Sequence, residues 1–266
     1  MIQEKAEILF NKNEGPSYFR LGLKCHGDYS KAKPGQFIMV HLSDQTTSIL
    51  PRPFSIHRLI TTDSRIKGIE LLFKVVGKCT ENLSKYKKGD CLDILGPLGT
   101  GFIIPDNYQR IFIVSGGIGV APLFFLASSL QPKMINPSSC RLFLGGRSKY
   151  DTLCLDDFSR LGMATNISTD DGTLGEKGLV TDLLKKAVKE NHPDIICACG
   201  PLAMLGCVAN IAKKYAVPCQ VSIETIMACG IGACLGCAVK SKKETGKYLH
   251  TCIDGPVFNS DTLDIW

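Results

Sequence analysis

The 266-residue chain has no apolar run near the ~18 residues a membrane-spanning helix needs, so no membrane association is expected. It also has no run of five or six basic residues. The 31 Lys+Arg exceed the 25 Asp+Glu by a net +6, and the lysines come only in pairs such as Lys87–Lys88 and Lys213–Lys214. A nucleic-acid footprint needs a denser basic stripe, so no nucleic-acid partner is expected. The opening residues Met1 to Lys5 lack a basic segment followed by an apolar one, so no secretory leader is expected and a cytoplasmic location is. Histidine is scarce: His26, His41, His57, His192 and His250 stand apart, without metal-ligand spacing. The lone tryptophan, Trp266, is expected to pack or to lie on the surface. Hydrophobic residues at 44% and charged residues at 21% exclude a disordered chain.

Cysteine is abundant. Thirteen residues, an odd number in a chain this long, do not suggest a disulfide scaffold. In a reducing compartment, clustered cysteines are more often metal-binding or catalytic. Cys25, Cys91, Cys140, Cys154, Cys197, Cys207 and Cys219 are scattered and read as small buried apolar residues.

Three regions follow from the patterning. Six short apolar or alternating runs, at 3–10, 18–25, 37–42, 54–60, 68–76 and 91–95, are separated by turns such as Lys33-Pro34-Gly35 and Lys88-Gly89-Asp90. They predict a small antiparallel barrel over 1–99, with one short helix at 81–86. Over 100–215 the pattern alternates strand and helix, beginning with the apolar run Ile111 to Val114. This predicts a parallel sheet covered on both faces. The remainder, 216–266, opens with a strand at 217–224 and then turns rich in Gly and Cys.

Three motifs carry chemistry. Cys229, Cys234, Cys237 and Cys252 have the spacing C-x4-C-x2-C-x14-C, interleaved with Gly230, Gly232 and Gly236. The first three match the plant-type 2Fe–2S pattern, which takes its fourth thiolate from a distant segment. A structural zinc site is the rival reading, although only Cys234 and Cys237 form a C-x2-C pair. The second motif, Ser115-Gly116-Gly117-Ile118-Gly119-Val120-Ala121-Pro122, joins a buried strand to a helix. A dinucleotide phosphate would rest there on Gly117 and Gly119, against the helix N-terminus. Pro122 stands where a third glycine is usual, which a first helical turn tolerates. No acidic residue ends the next strand, where a ribose would be held, and Arg147 follows it instead. A purely structural glycine turn is the rival. The third motif is Arg52-Pro53-Phe54-Ser55, in which an arginine can neutralise a diphosphate. Alone it reads as an edge strand. The order barrel, glycine turn, Cys199-Gly200-Pro201 gives it weight.

That order resembles the ferredoxin-reductase-like flavoproteins. With the cysteine loop, with Thr169-Asp170-Asp171-Gly172 running to Gly178–Asp182, and with Cys252 to Phe258, the whole chain is similar to the electron-transfer subunits of two-subunit, NAD-linked dihydroorotate dehydrogenases. The resemblance implies an FAD-binding barrel, an NAD-binding α/β domain and a small C-terminal 2Fe–2S domain. It implies that Arg52, Pro53, Phe54, Ser55, Leu72, Phe73, Lys74, Cys79 and Thr80 bind FAD. Cys79 stands where the family has glycine. Gly117, Gly119 and Pro122 are implied to hold NAD, Cys199 to lie by the nicotinamide, and the four loop cysteines to ligate the cluster.

The same resemblance implies an FMN-containing catalytic partner in a heterotetramer of two copies each. Electrons would run from that partner through cluster and FAD to NAD⁺, in de novo pyrimidine biosynthesis. The isolated chain would oxidise NADH with artificial acceptors, and would need its partner to oxidise dihydroorotate. The alternative is a subunit of a related NAD(P)H–ferredoxin or sulfide-linked oxidoreductase with the same cofactors.

Overall fold

The computed structural model describes residues 1–42, 50–63, 65–131 and 139–266. Six strands, β1 (Ile2–Gly15), β2 (Tyr18–Lys24), β3 (Phe37–His41), β4 (Arg52–Thr62), β5 (Arg65–Lys74) and β6 (Cys91–Leu98), close into a barrel in the order β1-β2-β5-β4-β3-β6. Every pairing is antiparallel. Closure leaves no open edge, and alternate residues such as Leu92 and Ile94 of β6 turn inward. Ile8, Leu21, Leu23, Ile38, Ile56, Ile69 and Leu71 fill the interior. Helix α1 (Lys78–Lys85) follows β5, starting three residues earlier than the pattern predicts. Thr80 fixes that start: its Oγ1 accepts from the N–H groups of Val76 and Gly77, at 2.9 and 3.2 Å.

The second unit is built on β7 (Ile111–Gly116), β8 (Arg141–Gly146), β9 (Ala164–Thr169), β10 (Glu176–Lys177), β11 (Ile195–Cys199) and β12 (Cys219–Ser222), all parallel. A hairpin of β13 (Ala238–Lys240) and β14 (Tyr248–His250) then leads to β15 (Val257–Asn259), which adds to β12 antiparallel. The sheet order is β10-β9-β8-β7-β11-β12-β15. Two of its strands therefore come from beyond residue 216.

Helices α2 (Val120–Leu130) and α3 (Leu155–Arg160) pack on one face of the sheet, and α4 (Val180–Glu190) and α5 (Leu202–Lys214) on the other. The strands are apolar on both sides because both sides are covered. Ile111 and Ile113 face one core, and Phe112 and Val114 face the other. Strand order reverses between β7 and β11, and the crevice beyond their carboxyl ends is where such sheets bind ligands. The two units share core residues. Phe125 of α2 enters the barrel core, while Tyr18 and Leu72 of the barrel join the core under α2.

Candidate functional site

A cavity of about 440 Å³ opens on the outside of the barrel beside α2. Arg52, Pro53, Phe54 and Ser55 of β4 form one wall, and Leu72, Phe73 and Lys74 of β5 another. Cys79 and Thr80, at the start of α1, and Pro122 and Cys199, from the sheet unit, complete it. Most of the residues expected to bind cofactor thus converge on one cavity. Phe73 is held by stacking on Phe19, with ring centroids 5.6 Å apart, and by the edge of Phe54 at 5.9 Å. Arg52 is exposed at the cavity mouth, and no acidic side chain among the described residues pairs with it. Thr225 lines the cavity with a buried hydroxyl that finds no partner among the described residues. An unmet buried hydroxyl costs about 1–3 kcal/mol, so the cavity suits a ligand with polar atoms. The hydroxyl of Thr80 is already committed to the backbone of 76–77. What it gives the cavity is the orientation of the α1 N-terminus.

A second cavity, a cleft of about 650 Å³, lies at the carboxyl ends of β7 and β11. Gly116 to Gly119 and Gly200 to Met204 form its floor, and Gly145, Gly146, Arg147, Asp170 and Gly178 to Thr181 its far side. Gly117 has φ +53°, and a Cβ placed on it would meet nothing within 4 Å. This residue faces the open cleft. At Gly119 a Cβ would fall 2.2 Å from the carbonyl oxygen of Cys199. That glycine is required where the two floor loops touch. Leu179 and Leu202 line the cleft and are more than half exposed, giving it an apolar rim.

The two cavities meet at Lys74, Ile118, Ile223 and Glu224, which line both. Pro122 and Cys199, grouped by sequence with the nucleotide turn, lie on the barrel side of that meeting point. Cys199 is 3% exposed, and burial, with the charge of Glu224, pushes its thiol up to about 12. It is a neutral thiol at pH 7 and not a thiolate nucleophile.

Beyond the barrel cavity lies the cysteine loop. The four cysteines stand as two pairs. Cys237 and Cys252 are buried, with Sγ atoms 3.3 Å apart. Cys229 and Cys234 lie further out, and Cys234 is exposed. Backbone N–H groups already point at sulfur: Ile231 and Cys234 at Cys229, 3.5 and 3.4 Å, and Gly232 at Cys252, 3.2 Å. Burial opposes ionisation of Cys229, yet the N–H groups of Ile231 and Cys234 bring its thiol down to about 7. Burial and the adjoining Cys237 push Cys252 up to about 12, so a bound cation would be needed to ionise Cys252. The loop takes this shape through positive φ at Gly230 (+73°), Gly232 (+81°) and, against its side-chain preference, Leu235 (+59°). Among the described residues no three His, Cys, Asp or Glu side chains converge on one metal position. Four thiols with backbone N–H donors directed at sulfur fit a two-iron cluster.

Met227 links this loop to the rest. It packs with Cys237 and Cys252 and also lines the barrel cavity. Loop, cavity and cleft therefore form a continuous row. In the sequence Met227 stands only within the stretch Met227 to Gly230 that resembles the family and Glu224 only at the end of the expected strand 217–224, while Thr225 carries no signal, because the segment joining β12 to the loop has no periodicity. Of the scattered cysteines expected to be buried, Cys25, Cys91 and Cys154 are only half-buried, and the largest departure is Cys207. It is exposed and lines the cleft, because Leu205, Val208, Ala209 and Ala212 take the buried face of α5 and turn Cys207 away.

Comparison with known proteins agrees with this layout. Residues 11–102 match the oxidoreductase FAD-binding domain, 113–210 the oxidoreductase NAD-binding domain, and 224–264 the iron–sulfur cluster binding domain of dihydroorotate dehydrogenase B. The dihydroorotate dehydrogenase B (NAD⁺) electron transfer subunit of Caldanaerobacter subterraneus subsp. tengcongensis is 38% identical over 255 residues, 96% of this chain and 95% of that protein. Its counterpart from Desulforamulus reducens is 40% identical over 231 residues, 86% of each. Among solved structures, an NADH-dependent reduced ferredoxin–NADP oxidoreductase studied for flavin-based electron bifurcation superposes with a TM-score of 0.84. It is 31% identical, over 98% of this chain and 90% of that one. The cytochrome b5 reductase domain of Ulva prolifera nitrate reductase shares the fold, with a TM-score of 0.65 at 18% identity, over 81% of this chain and 93% of that one.

Proposed function

The chain belongs to the family of dihydroorotate dehydrogenase B (NAD⁺) electron-transfer subunits, and from that premise we propose how its own residues serve the task. It is an oxidoreductase component with FAD, NAD and iron–sulfur sites, and it delivers electrons to NAD⁺ in pyrimidine biosynthesis. A catalytic partner subunit is implied by the family. Our reading adds that this partner carries FMN and that two copies of each chain assemble.

The observation that carries the reading is the row itself: cysteine loop, Met227, barrel cavity, shared wall, cleft. When bound, the cluster moves single electrons, the flavin exchanges one for two, and NAD⁺ takes two as hydride. The rest falls to the protein. Arg52 is proposed to pair with the flavin diphosphate, with the N-terminus of α1 beside it. Ser55 and Thr225 offer hydroxyls, and Leu72, Phe73 and Lys74 back the ring. Gly117 leaves the floor of the cleft bare for the dinucleotide phosphate, and Cys199 sits as a neutral wall by the shared face. Cys229, Cys234, Cys237 and Cys252 are the proposed ligands. The three segments 1–99, 100–215 and 216–266 then correspond to FAD, NAD and cluster binding, with strands past 216 finishing the NAD sheet.

The test is a reconstitution. The isolated holoprotein should oxidise NADH with an artificial acceptor, and should couple dihydroorotate to NAD⁺ reduction only after the partner subunit is added. Coupling with reduced ferredoxin, and none with the partner and dihydroorotate, would favour the alternative reading instead.

A further inference from the structure

A set of half-buried to buried charges lies at the seam between barrel and sheet, apart from both cavities. Arg20 of β2 pairs with the Asp157 carboxylate of α3. Arg58 of β4 reaches the same carboxylate at 3.2 Å. Behind them Glu70 of β5 lies 3.5 Å from Arg20, 3.7 Å from Arg58 and 3.7 Å from Nε2 of His57. Glu14 approaches Arg20 at 3.4 Å from the more exposed side, and the exposed Arg160 lies 3.9 Å from Asp157. His57 is fully buried and 2.9 Å from the carbonyl oxygen of Ala121. A carbonyl only accepts, so the proton sits on Nδ1, and burial, which pushes His57 down to about 3, keeps the ring neutral. The Arg58 guanidinium lies over the Phe124 ring of α2, 4.5 Å from its centroid.

These contacts tie together the pieces that must be in register. Strand β4 carries Arg52 to Ser55 of the barrel cavity, and two residues later His57 grips the first turn of α2. That helix begins at the glycine turn of the cleft. Asp157 anchors the segment that follows Arg147, a residue of the cleft wall. A second clasp holds the same segment: Tyr18 donates to Asp151, and Lys74 lies 3.3 Å from it. Buried ion pairs contribute little net stability, because desolvation offsets attraction, but they accept few geometries. Several polar atoms here, among them Glu70 Oε1 and Arg58 Nε, lack a hydrogen bond, as expected of a set retained for direction more than for strength.

We propose that Asp157, held between Arg20 and Arg58 with Glu70 and His57 behind them, is a positioning residue that sets the cleft wall and the nucleotide turn against the flavin-binding barrel. The proposal rests on the reading that nicotinamide and flavin meet at the shared wall. Neither Asp157 nor its four partners is among the described residues that line either cavity.

The test uses the full-length holoprotein carrying Asp157→Asn, with Arg58→Met acting from the barrel side in case the first variant does not fold. FAD content, iron content and the NADH KM should stay within about two-fold, since no ligand contact is lost. The rate of flavin reduction by NADH in stopped flow should fall about ten-fold or more, because hydride transfer is sensitive to displacements of an ångström. The long-wavelength charge-transfer absorbance between nicotinamide and flavin should weaken in parallel. Hydrogen exchange in α3 and the first turn of α2 should accelerate. The proposal is overturned if flavin reduction and the charge-transfer band stay at wild-type levels, whether or not exchange speeds up. If wild-type flavin is not reduced by NADH at all, the functional reading fails instead. In that case unchanged hydrogen exchange in the variant would overturn the clasp, and faster exchange confined to α3 and α2 would support it.

Discussion

In the barrel, the cavity wall is made of side chains: Arg52, Ser55, Phe73 and Lys74 each present a particular group. In the sheet, the floor of the cleft is made of backbone, and what its glycines supply is the lack of a side chain. A side-chain site is weakened by truncating a residue. A backbone site is weakened by adding one. The cysteine loop uses both devices, with four thiols for ligation and glycines that let N–H groups reach sulfur.

The loop should therefore give the largest effect. Cys234→Ser removes a thiol from the outer pair, and no spare cysteine stands nearby among the described residues. Iron content and the EPR signal of the reduced cluster should be lost, and dihydroorotate-to-NAD⁺ coupling in the complex should fall to background. NADH oxidation through FAD should persist within about two-fold, because the residues that fill the barrel form a cluster separate from the one that Phe37, Met39 and Leu98 make with the loop. Normal coupling in an assembled, iron-free complex would break the relay order.

Next comes the barrel. Arg52→Ala removes a charge-assisted contact worth about 1.5–3 kcal/mol, so FAD affinity should drop roughly 10- to 100-fold while iron content is unchanged. Flavin titration of the apoprotein measures this directly. An unaltered affinity would take Arg52 out of the site.

The sheet gives the contrasting pair. Gly117→Val adds bulk into the open cleft at φ +53°, and the NADH KM should rise about ten-fold with flavin and cluster content normal. Gly119→Val instead drives a side chain into the carbonyl of Cys199, so its main effect should be on stability, a loss of about 1–3 kcal/mol seen as a lower Tm. Sequence alone treats the two glycines alike. If both variants changed only KM, the division between open floor and loop packing would fall.

Much of this was legible in the sequence, for identifiable reasons. Barrel strands alternate because one face is buried, and β7 and β11 are apolar throughout because both faces are. The four cysteines have a spacing that few other structures require. Strand β15 was not legible: it has three residues, and only its pairing with β12, 37 positions back at Val221 with Phe258, makes it a strand. Helix α3 is six residues long and is preceded by Cys154 with φ +64°, a start no capping pattern announces. The clasp was hidden for the same reason. Arg20 and Asp157 look like ordinary surface charges until folding brings residues 137 positions apart together.

The smallest expected effect concerns the choice of nucleotide. No acid follows β8, where the sequence reading looked for one, and Arg147 stands there. The structure carries the cleft one strand further, so that Asp170, which follows β9, lines it on the same side as Arg147. A carboxylate there can accept from ribose hydroxyls and would oppose a 2′-phosphate. The side chain is exposed, so solvent and salt screen the repulsion to about 1 kcal/mol per charge at contact distance. Asp170→Ser should accordingly shift the ratio of NADPH to NADH kcat/KM upward by only about five-fold, and the shift should shrink at high ionic strength. Arg147→Ala should shift it the other way, since it removes the only cation on that side among the described lining residues. If the ratio is unmoved by either change at low salt, this end of the cleft does not hold the ribose, and the contrast between a side-chain barrel and a bare-backbone sheet extends to the whole nucleotide site.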